Sequence, residues 1–430
     1  MKRSEETLVI GGGLAGLAAA LYLARDGQQV RLLERSRELG GRASTTAVND
    51  LRFNLGPHAL YCSGAAARVL RDLSVPFSGG IPGQGAEISD GERFDSLPSD
   101  VLTLLRNRYF SFHDKLQLSR LLATLRFVQT DALAGSSYED WLSGRVDSVR
   151  SRSFMHMLAR LSTFVDAPSE LSAAFAVAQL KSALSGVLYL DHGWQSLIDG
   201  LHTRAKAIGV IVETSARAIA IEHAEHVEAV RIDDGRTLHP ARVVSAIGPK
   251  AIAALLPDDP ALAAFRRDAT PVLLASLDVA LAELPKPDRR NVQALDRPLY
   301  YSVHSGLARL AREGASVVHV AKYLDPRTTH DPSAIERELR EFLGNVQPGY
   351  ERALIYERFL PSLVVHNALP RPRMAAGPAS RFPLEHPTIE NLYFVGDWIG
   401  QHGLLADAAL GSARELWLTL QSSAAESRAA

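Results

Sequence analysis

Four short apolar runs frame the chain: TLVI (7–10), QVRLLE (29–34), VVSAIG (243–248) and LYFV (392–395). Each is bounded by glycine or a charge and reads as a buried strand. Between the first two lies LAGLAAALYLARDG (14–27), apolar nearly all round, which predicts a buried helix stopped at Gly27. From 99 to 185 the period changes. VLTLLRNRYFSFHDKLQLSRLLATLRFVQT, FMHMLARLSTFV and ELSAAFAVAQLKSAL carry apolar residues at spacings of three and four, so this stretch is mostly helical, with DAPSE (166–170) as a helix start. SGGIPGQGAE (78–87) lacks either period and reads as a hairpin or loop. A turn plus helix at 188–210 leads into several strands over 211–248, with the Asp233, Asp234 and Gly235 turn as a hairpin signal. Residues 266–355 give further strands (VLLASLDVAL, LYYSVHSG, SVVHVAKYL) and one amphipathic helix, SAIERELREFLGNV.

Composition narrows the class. With 430 residues, 46% hydrophobic and 22% charged, the chain supports more than one lobe of a globular protein. A net charge of −1 supplies no field for nucleic acid. The one cysteine, Cys62, excludes an internal disulfide and a cysteine metal cluster, and reads as a small buried hydrophobe. The 14 histidines show no metal-ligand spacing, so no metal is expected. The start, MKRSEETLVIGGG, is a poor secretory signal, and residues 14–24 are too short to span a bilayer. These features predict a soluble, cytoplasmic protein. Arg106, Arg108, Lys115, Arg120 and Arg126 interleave with leucines and aromatics, which fits either a solvated helix side or weak contact with the inner face of a membrane.

The first 34 residues carry the chemistry. TLVI runs into Gly11-Gly12-Gly13-Leu14-Ala15-Gly16, then the helix, then a second strand ending at Glu34. Strand, G-x-G-x-x-G, helix, strand and acid in this order define a dinucleotide-binding βαβ unit. Gly11 allows the tight turn, Gly13 lets backbone N–H groups approach a pyrophosphate at the helix start, and Gly16 brings helix and strand together. Glu34 is placed to accept from a ribose diol. No second unit of this kind occurs.

The continuation, Arg35-Ser-Arg-Glu-Leu39-Gly40-Gly41-Arg42, resembles the FAD-dependent superfamily of amine oxidases, protoporphyrinogen oxidase and phytoene desaturases. The resemblance implies an α/β fold: a Rossmann-like FAD domain of the glutathione-reductase type with an inserted α+β substrate domain. It places the FAD domain at 1–75, 188–265 and 356–421, the substrate domain at 76–187 and 266–355, and a frayed tail at 422–430. It also implies that Gly40 and Gly41 let the chain pass close to FAD while Arg42 meets phosphate charge. LRFNLGPHALY resembles the family's turn near the flavin, so Gly56, Pro57 and His58 join the set; His58 is either at the flavin edge or a satisfied turn histidine. VVSAIGP brings Gly248 to the pyrophosphate, whereas Gly193-Trp194 departs from the family's Gly-Gly turn. Gly396-Asp397 is the family's ribityl-holding pair, and the helix starting near Leu404 or Leu405, just after Gly403, points at the flavin, with Asp407 capping or complementing its positive end.

The activity implied is removal of a hydride equivalent from a C–H bond to flavin N5. Amine oxidases of the family carry an aromatic in the loop after Gly-Asp, flanking the amine against the flavin, where this chain offers Gly403-Leu404-Leu405-Ala406. Together with ERFLPSLVVHNALPRP (357–372), this points to a phytoene-dehydrogenase-like desaturase acting on a large apolar, isoprenoid-like molecule. The alternatives are an amine oxidase, a flavin isomerase or saturase, and a non-catalytic prenyl-binding module of the same fold. Lys322 is the candidate to orient a water at N5, or an ordinary strand lysine. The electron acceptor stays open between oxygen and a quinone, and no oligomeric state is assigned.

Overall fold

The computed structural model describes residues 5–83, 85–91, 93–373, 381–400 and 403–429, with side chains through 423. Gln401, His402 and Ala430 lie outside the described residues. The first strand, β1 (Thr7–Ile10), pairs in parallel with β2 (Val30–Leu33) on one side and with Arg242–Ser245 on the other. Ile211–Glu213 and Leu392–Phe394 complete a five-stranded parallel sheet. Parallel strands need crossovers that cover both faces, which is why each reads as a nearly unbroken apolar run. One crossover is α1 (Leu14–Arg25), buried along almost its whole length and packed against the Gln195–Ala207 helix and the C-terminal helix Leu405–Ala429.

The second lobe is built on a seven-stranded, mostly antiparallel sheet. Next to one edge, Val272–Leu281 lies between the edge strand Leu354–His366 and Ser316–Leu324. The Pro332–Val346 helix covers one face with Ile335, Leu339, Phe342, Leu343 and Val346. A bundle of helices between 101 and 183, with Leu118, Trp141, Phe154 and Leu171 in its core, adjoins it.

Four boundaries differ from the sequence expectation. Leu354–His366 pairs along its length with Val272–Leu281, so residues 356–366 belong to the second sheet rather than the dinucleotide lobe. The limit at 265 falls inside the Pro260–Asp268 helix. DAPSE forms a loop and turn; the helix after it begins at Ala173, behind the N-cap residue Ser172. The tail does not fray at 422, because the C-terminal helix continues through Ala429. Cys62 is half-buried rather than core, in a turn after Tyr61.

Candidate functional site

One cavity of about 580 Å³ lies between the two lobes. Gly11, Gly13, Leu14 and Ala15 line it from the turn after β1 and the start of α1. The N-cap residue Gly13 offers no side chain, and the first turn of α1 has no acid, so its leading N–H groups have no side-chain partner. A Cβ at Gly13 would meet only the Gly40 carbonyl, at 3.8 Å, and one at Gly41 would meet nothing within 4 Å. This glycine-walled cradle with a helix's positive end on it suits a pyrophosphate. Gly16 does not line the cavity: its missing Cβ would lie 1.9 Å from the Gly11 carbonyl, so it serves the close packing of helix on strand.

Glu34 and Arg35 line one end. The Glu34 carboxylate is fixed by two backbone donors, Gly12 N–H at 2.7 Å and Ser36 N–H at 2.9 Å. Each oxygen retains acceptor capacity for a diol. The Gly40 N–H donates to the Gly12 carbonyl at 2.9 Å, which docks the Gly-Gly-Arg segment on the turn.

In the middle of the cavity lie Arg42, Gly248, Gly396 and Asp397. Asp397 is 1% exposed. Its carboxylate accepts from both terminal nitrogens of Arg42 and, at 2.8 and 2.7 Å, from the backbone N–H and the Nδ2 of Asn367. Burial alone would raise its pKa, but the Arg42 guanidinium reverses this and holds the carboxyl well below the usual range. Arg42, expected to meet phosphate, is thus held by Asp397. Its side chain is still 46% exposed, on the cavity wall, so a cofactor phosphate can reach it. Asp397, expected to offer a free acceptor, already holds four donors.

The other end is apolar. Pro57, His58, Phe164, Trp194, Leu274, Leu363 and Val365 line it. His58 donates through Nδ1–H to the Gly56 carbonyl, 3.1 Å away, and meets the Trp194 ring edge-on at 5.1 Å. Burial pushes its pKa down to about 4, so the ring is neutral at pH 7. His58 is therefore both a satisfied turn histidine and a wall residue. Gly56 shapes that turn from outside the cavity, against Leu363 and Ser276.

From the C-terminal helix, Leu405, Ala406 and Ala409 line the cavity, while Gly403 and Leu404 do not. The Gly403 carbonyl instead accepts from Arg381 at 2.8 Å. Asp407 does not cap its own helix; its Oδ1 accepts from Ala66 N–H at 2.7 Å and so caps the Ala65–Asp72 helix. Lys322 is a correction. It shares a strand face with Val318, Val320 and Leu324, packed under the Pro332–Val346 helix, and its Nζ pairs with Glu338 there. Ala321 and Tyr323 occupy the opposite face, which meets Leu363 and Phe164. Asn367, Trp194 and Phe164 escaped the sequence reading; only Trp194, where a second glycine was expected, left a trace.

The residues present therefore fit an extended dinucleotide cofactor: an acid at one end, a glycine cradle at a helix start, and an apolar end to which both lobes contribute. The profile of the flavin containing amine oxidoreductase family matches residues 14–415. A carotenoid 3,4-desaturase of Haloarcula japonica is 28% identical over 276 residues, 56% of this chain and 55% of that protein. A 4,4'-diaponeurosporene oxygenase of Staphylococcus aureus is 24% identical over 279 residues, again 56% and 55%. The chain thus spans about half the length of these curated relatives. An oxidoreductase from Methanosarcina mazei shares the fold, with a TM-score of 0.78 at 19% identity over 96% of this chain and 99% of that one. Among the described residues, no helix is long and apolar enough to cross a membrane, and no group of histidines and acids is arranged to hold a metal ion.

Proposed function

Because the chain belongs to the flavin-containing amine oxidoreductase family, we propose that it is an FAD-dependent oxidoreductase that removes hydrogen from a C–H bond of a large apolar, isoprenoid-like molecule. FAD, when bound, supplies the hydride acceptor. Glu34 would hold the ribose of the adenosine half, the start of α1 the pyrophosphate, and Arg42, ordered by Asp397, the adjoining negative charge. His58, Leu405 and Ala406 would wall the flavin.

The observation that carries the substrate reading is the character of the distal end. Its described lining residues include no carboxylate, and His58 is neutral there. An alkylammonium would have to shed its hydration with no opposite charge to receive it, whereas a hydrocarbon loses nothing and gains burial. The likeness to carotenoid-modifying relatives supports the same reading. Amine oxidation is the second reading, favoured by the Trp194 and Phe164 rings at that end, whose faces can receive a cation.

An apolar substrate also has to be exchanged with a lipid phase. The helical lobe carries Val101, Leu102, Leu105 and Phe112 as exposed side chains beside exposed Arg106 and Arg108. We assign this face to peripheral contact with a bilayer.

Anaerobic mixing of the FAD-loaded protein with a polyene panel and an amine panel tests the function. Bleaching of the oxidised flavin by a polyene and not by amines is expected. Bleaching by amines alone would replace the first reading with the second.

A further inference from the structure

Seven non-glycine residues have a left-handed backbone among those described, and five of them are Asn, Ser or His in turns and bends. The remaining two, Phe164 and Leu405, are bulky and apolar, and both line the cavity. A bulky side chain in this conformation crowds its own backbone, so it persists only where the surroundings impose it.

At Phe164 the imposition is visible. The residue is the C-cap of the Val149–Thr163 helix, at φ 63° and ψ 12°, and its N–H donates to Arg160 O at 2.7 Å. Glycine is the usual occupant of such a helix end. The preceding carbonyl, of Thr163, accepts from His366 Nε2 at 2.7 Å, and the Val165 N–H donates to Thr163 Oγ1 at 3.2 Å. The turn is thus pinned on both sides of the phenyl. Tyr323 backs the ring edge-on at 5.8 Å, and Leu363 packs in the same cluster. A purely structural role would bury the ring, yet Phe164 keeps part of its surface open, on the cavity. Glycine would end the helix without strain but would remove this wall.

We propose that Phe164 is a specificity-determining residue: its ring, backed by Tyr323, is the surface against which an uncharged, extended hydrocarbon chain packs at the apolar end of the cavity. This deepens, and rests on, the apolar-substrate reading given above.

The test uses the full-length, FAD-loaded protein and all-trans-retinol as an apolar polyene probe, followed by fluorescence quenching. Phe164→Gly and Phe164→Asn both suit a left-handed backbone, so either keeps the fold accessible if the other fails. Wild type is expected to bind retinol, and both variants to bind it about tenfold more weakly or worse, with flavin content unchanged. If either folded variant binds retinol as wild type does, the wall assignment is wrong while the substrate reading stands. If wild type itself takes no retinol, the substrate reading fails and this assignment falls with it.

Discussion

Asp407 shows how one buried carboxylate ties two helices at the expense of its own ionisation. It is 5% exposed and caps the Ala65–Asp72 helix through Ala66. Burial pushes its pKa up to about 6, only partly offset by the Ala66 N–H and Arg68. The unfolded value is about 3.9. Between these two values the folded chain holds the proton more tightly than the unfolded one, so this residue's contribution to stability falls as pH rises from about 4 to about 6. Above that window the deficit is on the order of 2–3 kcal/mol. Asp407→Asn keeps the acceptor for Ala66 and removes the charge. Denaturant unfolding should show the variant about 2 kcal/mol more stable than wild type at pH 7.5 and closer to parity at pH 4.5; a gap of the same size at both pH values would contradict the assignment. His366 runs the other way. Burial lowers it to about 4, so its contribution is complete above about 6.5 and is lost as pH falls through that lower value.

At the scale of elements, the β1–α1–β2 unit was legible because each of its parts has a local cause: apolar runs, a glycine turn, a helix stopped at Gly27 and an acid at Glu34. Gly16 carries the sharpest consequence. A methyl there would stand 1.9 Å from the Gly11 carbonyl, a backbone atom that cannot swing away. Gly16→Ala should therefore destabilise by about 2 kcal/mol or more and strip FAD, read as loss of flavin absorbance after gel filtration; full flavin retention would refute the close-packing role. What the sequence hid is of a different kind. Lys322 sits on a strand of alternating residues, and alternation does not say which face sees the cavity. Residues 356–366 read as part of the dinucleotide lobe because their partner strand, Val272–Leu281, is far away in sequence. Asn367 reads as an ordinary loop polar residue until Asp397, 30 residues on, is found to need its two donors. Phe164 gives no turn signal at all, since the residue types that normally announce a left-handed helix end are Gly and Asn.

For the molecule as a whole, the second sheet carries a polar row where an apolar one would be simpler. Arg358, Asp278, His319 and Ser302 sit side by side across four strands. Asp278 accepts from His319 Nδ1 at 2.7 Å and from Arg358 at 2.8 and 3.0 Å, and Arg358 also donates to the Asn54 carbonyl of the strand before the His58 turn. The row fastens that turn to the sheet beneath it. On the outside, the face bearing Leu102 and Phe112 makes its own prediction. The protein should co-sediment with phosphatidylglycerol vesicles, less so at high salt, and Leu102→Glu with Phe112→Glu should weaken this about tenfold or more. Unchanged sedimentation of the double variant would remove that face from consideration. Inside, two consecutive residues look in opposite directions. His366 holds the carbonyl at the end of the Val149–Thr163 helix, and Asn367 holds the carboxylate of Asp397. A single peptide link is therefore a shared tether. The lobes cannot gape at this point without either unhooking the helical insert or releasing the acid that steadies Arg42, so whatever loosens one grip is felt at the other.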